Sequence, residues 1–281
     1  MAYRRILTVQ DISCLGQCSM TIALPILSAC GHETCPLPTA LLSTHTGGFG
    51  VVKKQDLADN FEGILAHWKA NAIAFDAVYA GYLGNIDHIA WLQEIFETMV
   101  APGGVRIVDP AMADNGKLYS GFDSEYVAAM KKLCTAADVI IPNLTEACLL
   151  TDTPYSAELS EGFVAELLER LGQLCSCVIL TGVGYRPEET GVVVYQNGKL
   201  WHYSQRKIPQ SYHGTGDIFA SAFVGAWLQE KTLEDAVKIA ADFTACCIQE
   251  TFHAPAHWYG VKFETALPKL IEMLRNSHKE I

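Results

Sequence analysis

The feature that most constrains this chain is an alternation of two hydrophobic periods. Apolar runs of strand length lie near 5–10, 34–38, 77–80, 105–108, 138–141 and 177–181. Amphipathic stretches of helix length lie between them, near 19–30, 55–70, 86–100, 124–135, 144–151 and 160–173. Strands joined through helices must run parallel, and their continuous apolar character fits strands covered on both faces. The pattern therefore predicts an α/β fold with a central, mostly parallel sheet and helices on both sides, a three-layer sandwich. After Thr181 the pattern changes. GVVVYQ and KLWHYSQ flank Asn197-Gly198, a strong hairpin signal, and three helices follow near 216–230, 233–251 and 262–275. No repeat, low-complexity tract or linker divides the chain, so residues 1–281 are expected to form a single domain.

Composition narrows what such a fold can do. Half of the 281 residues are hydrophobic and 18% are charged, enough to bury a large core. The formal charge of −11 is spread along the helices, and the basic pairs Lys53-Lys54 and Lys131-Lys132 are isolated. A nucleic-acid surface is not expected, and an anionic substrate needs local help. Ten scattered cysteines form no CxxC pair, which argues against structural zinc and for free thiols in a reducing cytoplasm. Residues 12–32 carry no full charge and follow Arg4-Arg5. Ser13, Gly16, Gln17, Ser19, Pro25 and Ser28 interrupt them, so neither a signal peptide nor a membrane span is expected.

Each strand runs into a residue with chemistry to offer: ILTVQ into Asp11, AVYAG into Tyr82, VRIVD into Asp109, VIIPN into Asn143 and VILTG into Thr181. Ligands of open α/β sheets bind at the carboxyl ends of the strands, so these positions are candidates for one site. In SYHGTGDIFAS (211–221), Gly214, Thr215 and Gly216 open a helix whose N–H groups suit a phosphate, and Asp217 follows in the first turn as a candidate base. The plainer alternative makes Thr215 an N-cap and Asp217 a dipole partner. In VDPAMADNGKLYS, Asp109 and Asp114 lie five apart and suit a water-mediated Mg²⁺; an exposed acidic loop is the alternative. Asn143 and Glu146 have capping-box spacing, which is compatible with a place beside those aspartates. STHTGGFG (43–50) offers His45 and Thr46 to a small polar ring, with Phe49 to cover it, or is simply a turn. The other histidines, at 32, 67, 88, 202, 213, 253, 257 and 278, show no metal spacing.

Together these segments resemble the ribokinase-like superfamily and, within it, the pyridoxal/pyridoxamine (vitamin B6) kinases. DISCLGQCS, PLPTALLSTHTGG, AGYLG, VDPAMADNGKLY, PNLTEA, LTG and HGTGDIFASAF carry the likeness along nearly the whole chain. The resemblance implies transfer of the ATP γ-phosphate to the 5′-hydroxyl of a B6 vitamer. Asp217 would be the base and Gly214, Thr215 and Gly216 the anion hole. Asp109, Asn143, Glu146, Thr181 and Gly182 would face ATP, and Asp109, Asp114 and Glu146 would hold Mg²⁺ largely through water. Asp11, His45, Thr46 and Tyr82 would meet the vitamer. A homodimer, and K⁺ as a further cation, are implied in the same way. Asp11 departs from the pattern, since the family often has serine there; a carboxylate would pair with the pyridine nitrogen and favour its protonated form. The segment 182–191 reads as a flap over ATP, and the adenine pocket is expected near Ile208 and the helix of the 240s. A hydroxymethylpyrimidine kinase of the same fold is the nearest rival, followed by a sugar kinase and a non-catalytic B6-binding protein. A dehydrogenase is disfavoured because the first strand lacks GxGxxG.

Overall fold

The computed structural model describes residues 2–254 and 256–276; His278 lies outside them. Strands β1 (Arg5–Ser13), β2 (Glu33–Leu42), β3 (Lys54–Asp56), β4 (Phe75–Ala80), β5 (Val100–Val108), β8 (Val139–Ile140), β9 (Cys177–Thr181), β10 (Glu189–Gln196) and β11 (Lys199–Arg206) form one sheet. Its order is β11-β10-β9-β8-β5-β4-β1-β2-β3. β2, β1, β4, β5, β8 and β9 run parallel, while β3, β10 and β11 pair antiparallel at the two ends. Two short strands, β6 (Ala113–Asp114) and β7 (Lys117–Leu118), make a separate small hairpin.

Alternation along the central strands sends successive side chains into two cores. Ile6, Ala77, Tyr79 and Ile179 pack beneath α1 (Met20–Ala29), α7 (Thr215–Leu228), α8 (Leu233–Phe252) and α9 (Leu267–Asn276). Leu7, Val78, Val178 and Leu180 pack on the other face. There they meet α2 (Phe61–Ala70), α3 (Ile86–Thr98), α4 (Ser124–Cys134), α5 (Leu144–Leu150) and α6 (Glu161–Leu171). The expected three layers are present. A period of two along strands buried on both faces is what requires both helical layers.

Three boundaries differ from expectation for local reasons. The segment expected as a helix from 55 begins as edge strand β3, paired with Ala40–Leu42, and a 3₁₀ turn at Ala58–Asn60 precedes α2. The last helix starts at Leu267 rather than near 262, after a 3₁₀ turn at Glu264–Ala266. β1 continues three residues past Gln10, with a register shift between Gln10 and Ile12, so Asp11 lies within the strand. Asn197 and Gly198 turn the β10–β11 hairpin with φ of 50° and 83°, the doubly positive pair that a two-residue turn matched to sheet twist demands. From β1 the chain moves to β2 on one side and later to β4 on the other, which opens a crevice at the carboxyl end of β1.

Candidate functional site

A cavity of about 640 Å³ fills that crevice, and the candidate catalytic, nucleotide, metal and vitamer residues singled out in the sequence line it, Phe49 excepted. Asp11, His45, Thr46 and Tyr82 form one end. Asp109, Asp114, Asn143, Glu146, Thr181 and Gly182 form a wall. Gly214, Thr215, Gly216 and Asp217 close it at the start of α7. A second, more open groove of about 1530 Å³ adjoins it and shares Thr190, Gln205, Arg206, Ile208, Tyr212 and Thr215.

The α7 end is built by Gly214. This residue, not Thr215, is the N-cap, with φ 85° in the left-handed region. A Cβ there would sit 2.3 Å from the Gln17 carbonyl oxygen and 2.8 Å from Ile22 Cδ1, so glycine is required both by conformation and by space. Thr215 instead donates its hydroxyl to the Tyr212 carbonyl at 3.4 Å. No side chain caps the helix, leaving its first N–H groups turned to the cavity. Burial pushes Asp217 up to about 7, hydrogen bonding from the Ser19 backbone partly offsets this, and the Asp11 charge adds to it.

The acidic wall is organised by α5. Asn143 Oδ1 accepts the Glu146 N–H at 3.0 Å, and Glu146 Oε2 accepts the Asn143 N–H at 2.8 Å, the expected capping box. Its reach is wider than a cap. Glu146 Oε1 accepts the Met112 N–H at 3.1 Å, and Asn143 Nδ2 donates to the Ala113 carbonyl at 2.8 Å, so the box also holds the loop that carries Asp114. Glu146 is 2% exposed; burial pushes its carboxyl up to about 8 against the backbone hydrogen bonds. Asp109 is 9% exposed and is pushed well above the usual carboxylate range, first by burial and then by the charges of Glu146 and Asp217. Asp114 accepts from the Asn115 N–H at 2.8 Å and from Asn115 Nδ2 at 2.9 Å.

Asp11, whose charge reaches Asp217, is 4% exposed. Burial raises its pKa, while hydrogen bonds from Ser19 and Ser13 favour the charged form. Ser13 Oγ lies 3.2 Å from its Oδ2. His45 has both ring nitrogens engaged: Nε2 donates to the Tyr259 carbonyl at 2.8 Å and Nδ1 accepts the Gly47 N–H at 2.9 Å. This pins the tautomer and leaves His45 to present its ring rather than a polar atom. Phe49 meets the edge of His45 at 5.2 Å and packs on Trp258 at 4.8 Å, away from the cavity lining. The segment expected as a flap is shorter, because Glu189–Gly191 belong to β10 and the Lys207 N–H ties it at the Glu188 carbonyl.

Several lining residues escape sequence reasoning. Ser19, with φ 51°, stands at the start of α1 between Asp11 and Asp217. Arg206 lines both cavities and Lys207 lines the open groove, bringing positive charge to an acidic chain. The adjacent pair Arg206-Lys207 at the end of a hairpin strand was the available signal. Ile208, Ala245 and Ile248 line the groove where the adenine pocket was expected.

The donor set suits a hydrated divalent cation. Like-charged buried carboxylates at Asp109 and Glu146 disfavour their own ionisation, a condition a cation relieves. Among the described residues no three His, Cys, Asp or Glu side chains come close enough to hold a metal directly. A cation held there would keep much of its own water shell. No helix among the described residues is long and apolar enough to cross a membrane.

A pyridoxal kinase of Arabidopsis thaliana is 26% identical over 264 residues, covering 88% of this chain and 82% of the relative. The structure of pyridoxal kinase from Lactobacillus plantarum superposes with a TM-score of 0.90 at 31% identity, covering 99% of each chain. A Bacteroides thetaiotaomicron protein assigned as a phosphomethylpyrimidine kinase and crystallised with pyridoxal gives 0.90 at 37%, covering 95% of each. The family model for phosphomethylpyrimidine kinase matches residues 26–261. The chain therefore belongs to the phosphomethylpyrimidine kinase family of the ribokinase-like fold, with pyridoxal kinases among its relatives.

Proposed function

We propose that this protein is a pyridoxal kinase, an enzyme that transfers the γ-phosphate of ATP to the 5′-hydroxyl of a vitamin B6 vitamer. The observation that carries the reading is the single cavity holding Asp217 at an uncapped helix start, the Asp109/Asn143/Glu146 wall and the Asp11/Tyr82 end together. Asp217 takes the proton of the 5′-hydroxyl as its oxygen attacks the γ-phosphorus and the bond to the ADP oxygen breaks. A carboxyl pushed up to about 7 has a basicity matched to that transfer at neutral pH. The N–H groups of Gly214, Thr215 and Gly216 stabilise charge on the transferring phosphoryl, and Arg206 lies on the path between the cavities. Asp109, Asp114 and Glu146 would hold Mg²⁺ through water, and that cation would supply charge neutralisation for the triphosphate, while Asn143, Thr181 and Gly182 line its path.

On the vitamer side, Asp11 pairs with the pyridine nitrogen, the His45 ring and Tyr82 form walls, and Thr46 offers a hydroxyl. The ten free cysteines support the cytoplasm as its compartment. The chain acts as one domain, and a homodimer is its proposed assembly. The test is ATP consumption by the purified protein with Mg²⁺ and K⁺, offered pyridoxal, pyridoxamine, pyridoxine and hydroxymethylpyrimidine in parallel. Turnover of a B6 vitamer supports the reading. Turnover of hydroxymethylpyrimidine alone replaces it with a hydroxymethylpyrimidine kinase of the same fold, and binding without turnover replaces it with a carrier.

A further inference from the structure

Gln205 stands on β11 where the two cavities meet and lines both, opposite Thr190 of β10, which does the same. Two residues back, Tyr203 faces α8, where its hydroxyl donates to Asp242 Oδ1 at 2.8 Å. Gln205 Nε2 donates to that same oxygen. A carboxylate only accepts, so the contact fixes which way round the Gln205 amide stands. With Nε2 turned to Asp242, the carbonyl Oε1 is the acceptor that Gln205 keeps for a ligand.

From Gln205 the cavity runs to Asp217 and the α7 N-terminus, while the groove runs on to apolar Phe252, with Ile248 lining both. A nucleotide with its phosphates at the first and its base at the second passes Gln205 with its ribose, whose hydroxyls are donors. We infer that Gln205 Oε1 accepts a hydrogen bond from a ribose hydroxyl of the nucleotide. Asp242 is the positioning residue that keeps the acceptor turned inward without touching the ligand. The inference rests on the reading of this site as an ATP-dependent kinase and adds to it a discrimination at the sugar. A site built to accept from a hydroxyl loses affinity for the analogue that lacks it.

The experiment compares ATP, 2′-deoxyATP and 3′-deoxyATP in the parent protein, Gln205→Met and Asp242→Ala, by KM and kcat with saturating vitamer and by calorimetric binding without it. In the parent, one deoxy analogue binds about three- to tenfold more weakly than ATP, the size of one neutral hydrogen bond, with the loss in KM rather than kcat. Gln205→Met and Asp242→Ala treat the three nucleotides alike. A general loosening of the fold would weaken all three and leave their ratio unchanged, so the ratio separates the two causes. Equal binding of the three by the parent, or the parent's ratio surviving in Gln205→Met, overturns the contact; survival in Asp242→Ala overturns the positioning role. Because binding is read without turnover, loss of the kinase reading and loss of this contact give different results.

Discussion

Asp217 combines a polar task with a setting that resists charge. Burial and the Asp11 charge pull its carboxyl up, and the Ser19 backbone pulls it down, to about 7. A base must be deprotonated to accept a proton, so kcat/KM should fall as pH drops below about 7, tenfold per unit, with the descending limb set by this group. The pH profile of Asp217→Ala checks the assignment: nucleotide binding persists, turnover drops by about 10²- to 10⁴-fold, and the limb disappears. Full activity in the variant would remove Asp217 as the base. Asp11 gives a second, independent expectation. If its carboxylate pairs with a pyridinium nitrogen, Asp11→Ser weakens vitamer binding and flattens its pH dependence, measurable by titration at pH 6 and pH 8. At this scale the sequence was legible where a residue's position follows from its place at a strand end or helix start, as with Asp109, Asn143 and Asp217, which all line the cavity. It was not legible where role depends on what a side chain already bonds. His45 looks like a donor in STHTGG, yet backbone groups from residues 47 and 259 claim both nitrogens, and no local pattern announces a partner more than two hundred residues away.

At the scale of elements, the site depends on how two helices begin. α7 begins at a glycine whose missing Cβ admits the Gln17 carbonyl. Gly214→Ala should therefore cost about 1–3 kcal/mol in denaturant unfolding, from left-handed strain and the clash together, and should lower turnover by displacing the N–H groups. An activity loss without a stability loss would mean that the loop yields to the Cβ by moving. α5 begins with a capping box that also holds the Asp114 loop. Asn143→Ala should cost about 1 kcal/mol and raise the KM for Mg²⁺-nucleotide, because the Ala113 carbonyl loses its donor. The box was readable from PNLTEA, as the hairpin was from Asn197-Gly198, since both signals lie within four residues. β3 was not: Lys54–Asp56 carries no strand pattern and is extended only because β2 offers it an edge.

Across the whole molecule, the alternation of strand and helix dictates a sheet with its loops gathered at one end, and that end gathers acid. The native protein holds Asp217 at about 7 and Glu146 at about 8, with Asp109 also raised, whereas the unfolded chain ionises such groups near pH 4. Between those limits the folded state binds more protons than the unfolded state, so stability must fall as pH rises through the window from about 4 to 8. The opposite slope, common where carboxylates are salt-bridged, is not expected of this cluster. Melting of the ligand-free protein should accordingly move to lower temperature between pH 6 and pH 8.5. Asp217→Asn and Glu146→Gln, which keep the shapes and remove the ionisations, should each flatten the slope, although Gln at 146 completes the capping box only by giving up the Met112 N–H. Mg²⁺-nucleotide favours the charged forms, so it should raise the melting temperature more at pH 8.5 than at pH 6. A slope that the two variants leave unchanged would mean that these carboxylates are already ionised in the empty site. The acid held back by burial would then be absent, and the cation would meet a preformed negative wall rather than one that releases protons as it binds.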